Sequence, residues 1–244
     1  MNALYDLSRY IASYNFFEYL LLAQVKGATH VVFNAQNPKS DKWPIEQVRE
    51  RFRSILLPGP ALAGMTHSMG DTGVDFGSPS GALAVAAWKS GKMKRLRSVK
   101  PAGKERYTVT LRKTPRANGR DSDEVAWRTF ADEIGALVIP DYDEAPIHLH
   151  DRMALYAGAE MNFFVSNGPG VLCSFTSFPC MIFDTHLAAG SLNSDGIKGW
   201  GAQYPWMGRD QFAIWESANL LNIRKHFYSW AEGNYEPNSL IDIP

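Results

Sequence analysis

Three features of the chain carry residue types suited to holding an anion. Ser166-Asn167-Gly168-Pro169-Gly170 sets two glycines and small polar groups directly before a run that reads as a helix. Free backbone N–H groups and the helix dipole at such a start attract negative charge, and glycine lets a phosphate approach the backbone. Taken alone, the turn reads as a tight strand-to-helix connection. Arg112 leaves an apolar strand and Arg120 follows eight residues later, so the two can converge on one anion through bidentate, charge-assisted bonds. Together the three point to an anion site. His67, Asp71 and Asp75 lie in a glycine-rich stretch, 64–81, and each is a type that can deprotonate a hydroxyl as general base. Ordinary loop polarity accounts for all three equally well.

Other constellations say less. His148-x-His150 and Asp184-x-His186 are four metal-ligand types without a recognisable site spacing, so no metal centre is expected. Glu18, inside the apolar Phe16 to Leu22 run, either faces a cleft or lies on the wet face of its helix. Trp200, Tyr204, Trp206 and Trp215 can stack on a base or sugar, but core packing accounts for any one of them. Cys173 and Cys180 sit in apolar surroundings and read as reduced, buried thiols. GxGxxG, GxxxxGK[ST] and GxSxG are absent, which argues against the usual dehydrogenase, P-loop and hydrolase readings.

The elements that must position these residues follow from periodicity. Tyr14 to Lys26 is apolar at helical spacing and ends at Gly27, and His30 to Asn34 reads as a buried strand. Pro44 opens a second helix, Ile45 to Ile55, whose stripe is Ile45, Val48, Phe52 and Ile55. Residues 58–81 read mostly as loop and Ala82 to Trp88 as helix. Beyond a basic, Gly- and Pro-interrupted boundary come a strand at Tyr107 to Leu111, then a helix from Asp123 to Ile134 capped by Asp121 or Ser122. The core face of that helix is expected to include Val125, Trp127, Phe130 and Ile134. Strands at Leu137 to Ile139, Asn162 to Val165 and Met181 to Phe183 alternate with helices at Arg152 to Glu160 and Val171 to Phe178, and Asp210 to Trp230 reads as a last helix. Such alternation argues for a parallel α/β sheet, in which ligands bind beyond the carboxyl ends of the strands.

Composition sets the frame. The 244 residues are 45% hydrophobic and 20% charged, too apolar for disorder and long enough for a substantial core. No apolar run approaches the roughly 18 residues that a membrane span needs, and the first residues lack the pattern of a secretory leader, so a cytoplasmic protein is expected. Lys+Arg and Asp+Glu balance at 25 each, yet Lys89 to Arg120 holds twelve bases against one acid, Glu105. A local basic block in a neutral chain suits a bound anion better than a nucleic-acid coat.

The run Tyr107 to Arg112, then Arg120-Asp121-Ser122, Trp127, Phe130 and Val138 to Asp141, resembles the donor-binding lobe of glycosyltransferases with two Rossmann-like domains, the GT-B architecture. Ala157 to Glu160, Phe164 to Gly170 and Phe178 to Phe183 are similar to the matching glycine turn of heptosyltransferase-like and fucosyltransferase-like enzymes. The chain departs from the heptosyltransferases in carrying Asn167 and Pro169 around the turn and no His between the turn and His186.

The resemblance implies an α/β protein of two Rossmann-like lobes, with residues 1–95 a reduced acceptor-side lobe and 96–244 the nucleotide-sugar lobe, its C-terminal helix crossing back to the first. It implies a transferase that moves a sugar from a nucleotide diphosphate sugar to a glycan or other hydroxyl acceptor without a metal or other cofactor. Arg112 and Arg120 would bind the diphosphate. Ser166, Asn167, Gly168, Pro169 and Gly170 would sit against the phosphates or ribose, with Asp141 a strand-end cap or ribose-side carboxylate. His67, Asp71 or Asp75 would activate the acceptor. Asp141-x-Asp143 is the pair that would hold a metal in a metal-dependent alternative. An epimerase or hydrolase on the same fold, or a non-catalytic binding module, would keep the same lobe.

Overall fold

β-Branched and aromatic runs become parallel strands in both halves of the computed structural model, which describes residues 1–114, 121–142, 146–185 and 203–235. The chain divides into two units, Met1–Val99 with Glu144–Met153, and Lys100–Asp143 with Ala154–Pro244. Each is an α/β structure on a parallel sheet, of three strands in the first and five in the second, compatible with Rossmann-like lobes. No helix among the described residues is long and apolar enough to cross a membrane.

In the first unit β1 (Asn2–Asp6), α1 (Phe16–Val25), β2 (His30–Asn34), α2 (Ile45–Arg51), α3 (Gly59–Leu62), β3 (Thr66–Met69) and α4 (Gly81–Lys89) follow one another. The sheet order is β1-β2-β3, with Leu4 opposite Val32 and Val32 opposite Ser68. The helix expected over Ile45 to Ile55 changes at Phe52 into a π-helical turn, Phe52–Leu56. The stretch read as loop contains β3, which escapes pattern reading because all four of its residues are exposed. Beyond β3 the chain returns to the outer edge of β1, where Leu4 N–H donates to the Val74 carbonyl at 2.8 Å and Val74 N–H to that of Asn2 at 2.9 Å. A Cβ on Gly73 would lie 3.1 Å from the Leu4 nitrogen, so this close approach needs glycine.

The second unit contains β4 (Tyr107–Lys113), α5 (Glu124–Ile134), β5 (Leu137–Tyr142), α6 (Leu149–Ala157), β6 (Met161–Val165), α7 (Gly168–Ser174), β7 (Cys180–Phe183), β8 (Gln211–Ala213) and α8 (Leu220–Ala231), with α6 beginning in the stretch grouped with the first unit. The sheet order is β5-β4-β6-β7-β8. Asp123, and neither Asp121 nor Ser122, caps α5 by accepting the Ala126 N–H at 3.1 Å, and Gly135 ends it with φ +65°. Val125 is 78% exposed, against expectation, because the buried stripe runs through Ala126, Trp127, Phe130 and Ala131 and one residue per 100° leaves Val125 off it. The expected Asp210 to Trp230 helix is instead β8, a loop holding Trp215, and the shorter α8. This helix packs on α5 through Phe227 against Phe130 and an Arg224–Glu133 ion pair. Tyr107, Trp127, Phe163 and Phe183 complete that core.

Buried polar groups fix the register. Thr108 donates to Asn162 Oδ1 at 2.6 Å, Asn162 Nδ2 donates to the Tyr156 and Pro179 carbonyls, and Thr110 bonds the Tyr156 hydroxyl at 2.9 Å. Gln211 Nε2 meets the carbonyls of Cys173, Thr176 and Phe178. Cys173 and Cys180 are both buried and not joined in a disulfide. Tyr204 and Trp206 are buried, with Trp206 Nε1 donating to Ser174 Oγ at 3.1 Å, and Trp215 is buried too; Trp200 lies outside the described residues.

Glu18 corrects the wet-face reading. Every residue of α1 from Phe16 to Ala23 is buried, with α4 packed along the helix and Gly59 against Phe16 and Phe17, so α1 has no wet face. Glu18 Oε2 is buried without a hydrogen-bond partner, and burial pushes the carboxyl up to about 8. Above the ordinary carboxylate range the unfolded chain has released this proton while the fold still holds it. Stability therefore falls as pH rises toward about 8, by up to about 1.4 kcal/mol per pH unit. Glu18→Gln is expected to flatten the fall in melting temperature between pH 5 and pH 8, and an unchanged slope would show that another group governs it.

Candidate functional site

The strand order of the second unit creates its crevice. From β4 the chain crosses to β5 on one side, then returns past β4 to β6 on the other, so the connections diverge between β4 and β6. In open α/β sheets such a switch point, beyond the carboxyl ends of the strands, is where ligands bind. Arg112 near the end of β4 and Ser166 to Gly170 after β6 flank it. Asp141 is opposite Arg112 in the β4–β5 register. The structure thus brings Arg112, Asp141 and the glycine turn to one sheet edge; Arg120 and Asp143 lie outside the described residues.

Arg112 is held rather than loose. Its backbone N–H donates to Ser122 Oγ at 2.9 Å and its carbonyl accepts the Ser122 N–H at 3.0 Å, which ties the strand end to the approach of α5. The side chain is 13% exposed, with Nη1 4.0 Å from Asp121 Oδ1. With Leu111, Lys113, Asp121, Ser122, Glu124 and Tyr142 it lines a cavity of about 130 Å³. That volume suits one phosphate group better than a whole nucleotide.

The glycine turn spends much of its polarity on itself. Asn167 Oδ1 accepts the Gly170 N–H at 2.9 Å, the Asn167 carbonyl accepts the Val171 N–H at 3.1 Å, and Pro169 has no N–H. Among the described residues this leaves the Gly168 N–H as the first-turn amide available to a ligand. Asn167 Nδ2 donates to Asp141 Oδ2 at 3.2 Å, so Asp141 steadies the cap from the end of β5. A Cβ on Gly170 would meet Phe164 Cβ at 3.2 Å and Cγ at 3.3 Å. Glycine there serves close packing of α7 on β6. Ser166 and Asn167 are both buried.

In the first unit the three general-base candidates separate. Asp75 accepts from Arg9, from the Tyr10 hydroxyl at 2.8 Å and from the Gly77 N–H at 2.8 Å, which staples the glycine-rich loop to the turn after β1. Burial first, then the Asp75 carboxylate, pushes the Tyr10 hydroxyl up to about 12, so it stays a donor. His67 is exposed on β3 with its ring beside Phe33, and Asp71 is exposed in the loop that follows.

His148 and His150 stand with ring centroids 5.8 Å apart, and no group of three His, Cys, Asp or Glu side chains able to hold a metal occurs among the described residues; His186 lies outside them. A cluster not anticipated from sequence joins Glu216, His226 and Tyr235. Burial lowers the basicity of His226 against the opposing pull of Glu216, and the ring meets Glu216 through Nε2 and the Tyr235 hydroxyl through Nδ1 at 2.7 Å. A carboxylate only accepts, so the neutral ring donates from Nε2 and accepts the tyrosine O–H at Nδ1. Glu216 also bonds Lys225 at 3.1 Å and follows β8, on the same sheet edge as Arg112. The available sequence signal was a histidine on the Ile223–Phe227 stripe of a helix.

Because the Gly170 hydrogen faces Phe164, Gly170→Val is expected to lower unfolding stability by about 1–3 kcal/mol in a urea titration. An unchanged midpoint would mean that α7 yields without cost.

No protein-family model, curated protein or solved structure matches this chain.

Proposed function

We propose that the chain is a glycosyltransferase of GT-B type that moves a sugar from a nucleotide diphosphate sugar to an acceptor hydroxyl. The observation that supports this reading most is the switch point between β4 and β6, flanked by a nearly buried arginine and a glycine turn. Departure of a diphosphate requires compensation of its growing negative charge. Arg112 supplies a fixed cation beside a phosphate-sized cavity, the Gly168 N–H one backbone donor, and Arg120 belongs to the same proposal on sequence grounds. Asp141 acts through Asn167 by holding the turn in shape. Of the residues proposed to activate the acceptor, His67 and Asp71 are the exposed ones, whereas Asp75 serves as a staple. The engagement of Asp75 favours, as the second reading, a module that binds nucleotide sugars without turning them over. Release of nucleoside diphosphate in the presence of acceptors separates the two.

Bonds to a charged partner are worth about 1.5–3 kcal/mol, so Arg112→Ala is expected to weaken nucleoside diphosphate binding by roughly ten- to a hundred-fold in calorimetric titration. Wild-type affinity in a folded variant would remove Arg112 from the site. Binding and transfer by fixed cations are expected to survive excess EDTA. Activity restored only by added magnesium or manganese would move the chemistry to Asp141 and Asp143.

A further inference from the structure

In the first unit the loops that follow β1 and β2 are stitched together at the carboxyl end of the sheet. Leu7 N–H donates to the Asn34 carbonyl at 2.9 Å, and Lys39 N–H donates to that of Leu7 at 2.6 Å. Two cavities flank this stitch: Leu7 and Pro38 line one, and their near neighbours in sequence Arg9 and Lys39 line the other. Their characters differ. The first, about 370 Å³, presents Leu7, Ile45, Val48 and Phe52, and the Phe52 ring is braced edge-on against Phe33 at 5.3 Å. It also lies where α2 passes into its π-helical turn, a distortion that recurs at functional sites. The second, about 310 Å³, presents Arg9, Lys39 and Lys42 with one carboxylate, Asp41, and reaches Ser13 and Asn15 just before α1.

The charges do not cancel there. Asp41 pairs with Lys39 at 3.0 Å and Asp75 pairs with Arg9, which leaves Lys42 without an ion-pair partner among the described residues. Ser13 is 9% exposed, and its Oγ is buried with no hydrogen-bond partner, an arrangement that native interiors rarely leave unexplained. Asn15, at the N-cap of the ten-residue α1, makes no side-chain cap bond, and the Phe16, Phe17 and Glu18 amides are taken by the Ser13, Tyr14 and Asn15 carbonyls, so the cations carry the positive charge of this cavity. Each volume lies within the range of small-molecule sites, which join apolar walls to a few polar groups.

We propose that these two cavities form one binding site for a small phosphate ester with an apolar body. The phosphate lies among Lys42, Lys39 and Arg9, and the body against Ile45, Val48 and Phe52. The site belongs to the first unit and does not depend on the proposed glycosyl transfer.

Phenyl phosphate, inorganic phosphate and phenol, each titrated into the full chain by calorimetry, test it. Phenyl phosphate is expected to bind at least tenfold more tightly than either fragment. Lys42→Glu, at an exposed position, is expected to weaken phenyl phosphate at least tenfold, and Ile45→Ala to weaken it about three- to tenfold while leaving inorganic phosphate unchanged. Arg112→Ala, in the other unit, is expected to leave all three unaffected. The proposal is overturned if phenyl phosphate binds no better than inorganic phosphate, if Lys42→Glu keeps wild-type affinity, or if Arg112→Ala removes the binding.

Discussion

A parallel strand can be reached from its neighbour only by a crossover over one face of the sheet, and such crossovers are right-handed. In the second unit the chain lays β5 on one side of β4 and β6 on the other, so the two connections leave the sheet on diverging paths. The gap between them is not filled by either. Everything offered to a ligand in that unit takes its place from this one reversal: a cation near the end of the central strand, a glycine turn on its neighbour, and a carboxylate on the strand opposite. The hydrophobic layer of Trp127, Phe130, Phe163 and Phe227 and the buried Thr108–Asn162 pair hold the strands in the register that aligns those ends.

The strands and helices of the second unit were legible because they are buried and periodic: Tyr107 to Leu111 reads as β, and α5 shows its stripe. What was missed is short or carries no period. β1 lacks β-branched residues, β3 is exposed on both faces, and β8 has three residues. α1 misled in the opposite way. A carboxylate in an apolar run suggests a wet face, but a helix apolar all round is covered all round, and Glu18 goes inside with it. The site was legible in its residue types and less so in how they are used. Sequence identifies an Asn before two glycines; it does not say that the Asn side chain takes the Gly170 amide. Nor does it reveal the cavities of the first unit, whose linings combine α2 with loops joined by the Leu7–Asn34 and Leu7–Lys39 bonds.

Carboxylates at the strand ends share one occupation in both units. Asp75 gathers three donors, Asp141 holds the Asn167 amide, and Asp184, with φ +55°, accepts the Ala218 N–H at 3.3 Å. Asp75 and Asp184 each take a backbone donor, the Gly77 and Ala218 N–H groups, and Asp141 takes a side-chain one.

Among the described residues β3 is the last strand of the first sheet, with one flank of its backbone facing no further strand and all four residues exposed. A bare sheet margin is a template on which another chain can lay a strand, and its danger grows with length and greasiness. Here the margin is four residues long, and Thr66, His67 and Ser68 are polar, with His30 bridging Thr66 and Ser68 across the outer face. Brevity and polarity guard this border against runaway self-assembly. The same economy deprives it of the apolar burial that anchors β1 and β2, so this margin adds little hydrophobic stabilisation to the first sheet.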